Sequence, residues 1–146
     1  MRKVSMPNEV ILSEMARQLD EGRDVIMTPK GVSMLPFIRG EKDSVLLRKT
    51  SPLHVGDIVL VNFNGTFLMH RIITINGRRI TLMGDGHLQG TETGNISDVL
   101  GTVIEIIRPN GHHVKPKKGR IWVRLLPVRR YLLKIYRKWN KLFANN

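Results

Sequence analysis

Hydrophobic and polar positions change period along the chain. Residues 8–21 follow a helical spacing, with Ile11, Leu12, Met15, Ala16 and Leu19 on one face. Asn8 stands where an N-cap is expected and Gly22 where the helix should stop. From Val25 onward the pattern becomes short β-branched runs: Val25–Thr28, Ser44–Arg48, Asp57–Phe63, Phe67–Ile75, Arg79–Met83 and Val99–Ile107. Asn64-Gly65 and Asn76-Gly77 each separate two such runs and predict hairpins. Many short antiparallel strands at this spacing predict a mainly β fold, a small coiled sheet or partly closed barrel behind one N-terminal helix.

The texture changes again after Arg108. Pro109-Asn110-Gly111 reads as a turn and Lys115-Pro116-Lys117-Lys118-Gly119 as a basic linker. A last helix is predicted from Pro127 to about Phe143, with Val128, Tyr131, Leu132, Ile135, Trp139, Leu142 and Phe143 on one side and Arg and Lys mainly on the other. Two parts are therefore expected: residues 1–108, with a helix at about 8–21 and a β core at about 25–108, and residues 109–146, basic linker and amphipathic helix.

Charge sharpens that division. The 146 residues carry 24 Lys and Arg against 12 Asp and Glu, a net charge of +12. Every acidic residue lies between Glu9 and Glu105, so residues 1–107 are electroneutral and the whole excess belongs to Arg108–Lys141. Such a block fits an anionic membrane surface reached through residues 120–146, an acidic leader segment of a substrate, or packing of the stripe on the barrel itself. Nucleic acid is a weaker fit, because the neutral body shows no helix-turn-helix and the tail has few aromatics. Neither a signal peptide nor a run of apolar residues long enough to span a bilayer is present, so a cytoplasmic or peripheral membrane location is expected. There are no cysteines, no phosphate-cradling glycine loop and no ligand spacing for a metal, so no cofactor is expected. Oligomeric state is not encoded in these features.

Candidate chemistry lies in three short segments: Gly31-Val32-Ser33-Met34-Leu35-Pro36, Met69-His70-Arg71-Ile72 and Gly84-Asp85-Gly86. A serine hydroxyl needs a base within hydrogen-bond reach and a turn that exposes it. Ser33 sits between a glycine and a proline, in such a turn. His70 lies in an apolar strand whose alternation groups it with Leu68 and Ile72. Asp85 follows the next strand between two glycines, where its carboxylate could orient an imidazole.

The set resembles the serine peptidase superfamily of the signal peptidases and LexA-type repressors. Its carriers are Ser33, Met34 and Pro36, the Gly56-Asp57 strand lead-in and Gly84-Asp85, over residues 25–108. Arg39-Gly40-Glu41 is similar to the Gly-Asp corner that follows the nucleophile, with Glu for Asp. His70-Arg71-Ile72 resembles the histidine subtype, the endoplasmic-reticulum-type signal peptidases, where other branches use lysine. The resemblance implies a serine endopeptidase with Ser33 as nucleophile, His70 as base and Asp85 as orienting acid, acting on a peptide or protein with small side chains beside the cut. It also implies a second acidic residue further on, a place Glu92 or Asp98 could fill, Asp98 being better suited to the closing strand. Gly31 departs from the pattern, because many signal peptidases carry there a hydroxyl that helps bind the oxyanion. The competing classes are a non-catalytic binding module of the same fold and a nucleic-acid-binding regulator using the basic tail.

Overall fold

A computed structural model describes residues 3–4, 9–29, 38–84, 91–116 and 138. The predicted first helix is α1 (Glu9–Asp20). Leu12, Met15 and Leu19 are buried, on the spacing that places them on one face. The helix closes as a Schellman motif: the Arg23 N–H donates to the Gln18 carbonyl and the Gly22 N–H to that of Leu19.

Among the described residues nine strands form one sheet: β1 (Lys3–Val4), β2 (Val25–Met27), β3 (Ser44–Arg48), β4 (Ile58–Phe63), β5 (Thr66–Asn76), β6 (Arg79–Met83), β7 (Glu92–Asn95), β8 (Val99–Ile107) and β9 (His113–Val114). Their order is β1-β2-β3-β8-β4-β5-β6-β7, with β9 paired to the end of β8. All pairs are antiparallel except β1 with β2. The fold is the mainly β, curled half-barrel that the periodicity predicts. Strands β1, β7 and β9 are additional to that expectation.

The β4 run Ile58-Val59-Leu60-Val61 is buried on both sides of the sheet. Ile58 and Leu60 join Met69 and the α1 residues in one core, and Val59 and Val61 join Ile72, Ile80 and Leu82 in another. A strand covered on both faces reads as a continuous apolar run, which is why β4 lacks alternation. Each fully buried Leu, Ile or Val contributes about 1.5–3 kcal/mol, so both cores hold the sheet. Gly101 of β8 lets α1 come close, since a Cβ there would stand 3.1 Å from a Leu19 methyl.

Irregularities in pairing bend the sheet. A register shift between Ile72 and Thr74 lets Ile75, opposite Ile80, return to the face of Ile72. A second, between Leu60 and Val61, places Val99 of β8 opposite Val61. The 3-10 turn Ile96–Asp98 then packs against β4 and closes the curl between β7 and β8.

The first hairpin turns on Asn64-Gly65, as expected. In the second, Asn76 pairs with Arg79, so the loop residues are Gly77-Arg78. Gly77 has φ 60°, the value taken at the first central position of a type II′ turn. Past Ile107 the chain turns at Pro109–Gly111 and returns as β9. The predicted helix 127–143 lies outside the described residues. Among those described, no helix is long and apolar enough to cross a membrane.

Candidate active site

His70 lies in the middle of β5, opposite Val59 of β4. Alternation puts it on the face of Val59, Ile72 and Leu82, and it is only 3% exposed. Its Nδ1 stands 2.9 Å from Glu92 Oε2. A carboxylate can only accept, so Nδ1–H is the donor. With that proton on Nδ1, the neutral ring is the tautomer that leaves Nε2 as the basic nitrogen.

Strand pairing explains how Glu92 gets there. Leu82 of β6 faces Ile72 on one side and Glu92 on the other, so Ile72, Leu82 and Glu92 share a face with His70. Continued one residue past Arg71–Met83, the β5–β6 ladder puts Gly84 opposite His70. No side chain stands at that point, and the longer arm of glutamate spans the gap from β7. Glu92 is 30% exposed at its side chain.

Arg71 points to the other face and is fully buried. Its Nη1 donates to the Gly56 carbonyl at 2.7 Å. Gly56 N–H donates to the Ile72 carbonyl, and Ile72 N–H to that of Asp57, both at 2.8 Å. The Gly56-Asp57 lead-in therefore locks the His70-Arg71-Ile72 segment from one side. Asp57 itself accepts from the His54 backbone at 2.8 Å, completing a tight turn.

Ser33 and Asp85 lie outside the described residues, as do Gly31, Met34, Pro36 and His87. The frame around the Ser33 segment is described. Thr28 and Ser44 hydroxyls are 2.9 Å apart, and the Glu41 N–H donates to the Pro29 carbonyl at 2.7 Å. Ile38 is buried in the core beneath α1. The corner acid of this frame is Asp43, not Glu41. Glu41 is exposed with φ 65°, whereas Asp43 is wholly buried. The Asp43 carboxylate accepts from the Arg39 N–H at 2.8 Å, from the Arg39 guanidinium at 3.0 Å and from Arg108 at 2.5 Å. Burial pushes its pKa up, but the Arg39 donors and the Arg108 charge outweigh that and hold it below the ordinary carboxylate value. Sequence spacing alone did not single out Asp43; its position just before an apolar strand was the available signal.

The two alternatives for a second acid separate cleanly. Asp98 accepts from the Asn95 N–H at 3.0 Å, in a capping box with Asn95, and so is committed to the turn before β8. Glu92 reaches His70. Of the other histidines, His113 bonds Glu105 at 2.6 Å through the β8–β9 pairing, a carboxylate that sequence proximity did not suggest. His54 is 3.8 Å from Asp57. Among the described residues no cluster of three His, Cys, Asp or Glu converges to hold a metal.

The fold that carries this buried histidine and its carboxylate is matched by family comparison. The Peptidase S24-like family matches residues 3–104. The chain belongs to that family. The match covers α1, β1 to β7 and the first part of β8, and places the protein in the LexA and signal-peptidase type of serine peptidase fold. No curated protein matches the chain.

Proposed function

We propose that the protein is a serine endopeptidase of the histidine subtype that removes a leader or signal-type segment from a peptide or protein. The observation that carries this reading is the His70–Glu92 pair. Ser33 Oγ attacks the scissile carbonyl carbon, and His70 Nε2 takes the hydroxyl proton. Glu92 keeps the imidazole turned and balances the imidazolium that forms. His70 then passes the proton to the leaving amine, the C–N bond breaks, and an ester to Ser33 remains. Water, deprotonated by His70, attacks that ester, the C–O bond to Ser33 breaks, and His70 returns the proton to the Ser33 oxygen as the acid product leaves. Glu92 takes the Nδ1 role in this reading, the role the motif offered to Asp85, which lies outside the described residues. With glycine at 31, backbone N–H groups, that of Ser33 foremost, carry the oxyanion.

Family membership supports the fold but includes members without catalysis, so the deciding evidence is chemical. Ser33→Ala in the full chain is expected to abolish cleavage of peptides with small residues beside the cut, with an unchanged unfolding temperature. Undiminished cleavage by Ser33→Ala would remove Ser33 from the mechanism. Absence of cleavage by the wild-type chain, alongside retained peptide binding, would favour a non-catalytic module.

The basic residues 120–146 are proposed to hold the enzyme at an anionic lipid surface. The placement of charge supports this, since the excess of +12 falls wholly after Glu105.

A further inference from the structure

Strand β7, Glu92-Thr93-Gly94-Asn95, contributes no apolar side chain to either core. It ends the sheet path and is bonded to β6. An end strand without buried apolar groups is poorly held by burial. Glu92 nevertheless keeps Oε2 within 2.9 Å of His70 Nδ1, two strands away.

One contact on β7 is unusually close. A Cβ built on Gly94 would stand 2.2, 2.5 and 2.7 Å from three ring carbons of Phe63. The φ of Gly94 is not in the left-handed region, so glycine is needed there for space and not for backbone conformation. Phe63 is the last residue of β4, three strands away along the sheet, and its ring belongs to the core that carries Val59 and Leu82. The ring therefore lies against bare backbone and closes the curl between β4 and β7. Gly94 faces Ile80 and Glu92 faces Leu82, so the two are alternate residues on one face. A shift at Gly94 is passed to Glu92 along about 7 Å of extended chain.

We infer that Phe63 and Gly94 are positioning residues for the His70–Glu92 pair: the ring seated on the glycine backbone sets the height of β7 and so the length of that hydrogen bond. This rests on Glu92 being the partner of His70 in the proposed reaction. A methyl group at position 94 needs more than about 1 Å of separation from the ring to reach ordinary contact. Taken up wholly by β7, with the ring held in its core, the same displacement stretches the 2.9 Å bond to at most about 4 Å, beyond hydrogen-bonding range. Misplacement of that size costs on the order of 100-fold in rate.

The test uses the full chain as Gly94→Ala, as Glu92→Gln and as the double variant Gly94→Ala with Phe63→Leu, which exchanges volume across the contact. Two quantities are read: kcat and KM on a cleavable peptide, and the hydrogen-bonded Nδ1 proton of His70 by NMR of histidine-labelled protein. Gly94→Ala is expected to lose the Nδ1 signal and about 10- to 100-fold in kcat, with KM nearly unchanged. The double variant is expected to regain both. Should Gly94→Ala fail to fold, a folded double variant with the Nδ1 signal supports the brace equally. A Gly94→Ala protein with wild-type signal and kcat overturns it, and so does a double variant as impaired as the single one. If Glu92→Gln keeps full kcat while the Nδ1 signal still follows the Gly94 and Phe63 changes, the catalytic role of Glu92 falls and the brace stands.

Discussion

Glu92→Gln isolates the charge of the acid from its shape. In the wild-type protein the carboxylate accepts from His70 Nδ1 at 2.9 Å, and His70 is almost fully buried. As Ser33 attacks, His70 becomes an imidazolium whose charge centre lies about 4 Å from the carboxylate. Two unit charges at that distance attract by about 4 kcal/mol at an effective dielectric constant of 20, and by about 1 kcal/mol in water. Glu92 is 30% exposed, so water weakens the attraction, and about 2–3 kcal/mol is the expected share. Glutamine accepts the same hydrogen bond through its amide oxygen but supplies no charge. The expected loss is therefore about 30- to 150-fold in kcat, since 1.36 kcal/mol is tenfold in rate. The assay is steady-state cleavage of a fluorogenic peptide, with thermal unfolding as the control for folding. Glu92→Leu, which removes the acceptor as well, should lose more. A kcat for Glu92→Gln within about threefold of wild type would refute the electrostatic argument, because even the lower bound of 2 kcal/mol demands a larger loss.

Asp43→Asn removes the buried charge that the half-exposed Arg39 and Arg108 share, and with it three charge-assisted hydrogen bonds. The expected cost at pH 7 is about 1–3 kcal/mol in urea unfolding, because water screens the two arginines once the carboxylate is gone. The Asp43 pKa is lowered in the folded protein, so its stabilisation is present above about pH 4 and is lost as pH falls through the folded value. The gap between wild type and Asp43→Asn should accordingly narrow toward pH 2; a constant gap would show that Asp43 is not ionised in the fold. Arg71→Met keeps the length of the side chain but strips the Gly56 carbonyl of its 2.7 Å donor. A loss of about 2–4 kcal/mol is expected, seen as an unfolding temperature lower by about 6–12 °C. Truncation at residue 119 should abolish co-sedimentation with anionic liposomes while leaving peptide cleavage in solution intact; equal sedimentation of both chains would contradict the membrane role of the tail.

What the sequence revealed follows where the physical signal was local. α1 carries its own periodicity and six strands their own short apolar or β-branched runs, and the Gly22 stop and the Asn64-Gly65 turn are short-range chemistry. Strand β7 escaped because Glu92-Thr93-Gly94-Asn95 has no hydrophobic residue to alternate; it is a strand through its partner, β6. β1 and β9 span two residues each, too few for any period to show. In the Gly77-Arg78 hairpin the turn pair was displaced by one residue, because glycine leads the loop.

The site divides in the same way. His70 was legible as a polar residue inside an apolar strand. Which carboxylate meets it was not, because the distance depends on β5–β6–β7 register and on the missing side chain at Gly84. Asp98, six residues further along the chain, is drawn instead into the Asn95 cap. At the corner after the Ser33 segment, Glu41 looked like the acid by motif position. Its left-handed φ turns the chain outward there, and Asp43, two residues later, is the one buried against both arginines. The closeness of Phe63 to Gly94 is invisible in sequence, since it joins residues on strands that are not neighbours in the sheet.

The most direct test of the account is capture of the covalent intermediate. The full chain is mixed with a peptide ester bearing a small residue at the cleaved bond, quenched in acid within a turnover, and digested for mass spectrometry. The predicted result is an acyl adduct on the peptide containing Ser33, absent from Ser33→Ala and strongly reduced in His70→Ala. Turnover of the ester by Ser33→Ala at the wild-type rate, or an adduct mapped to another residue, would contradict it.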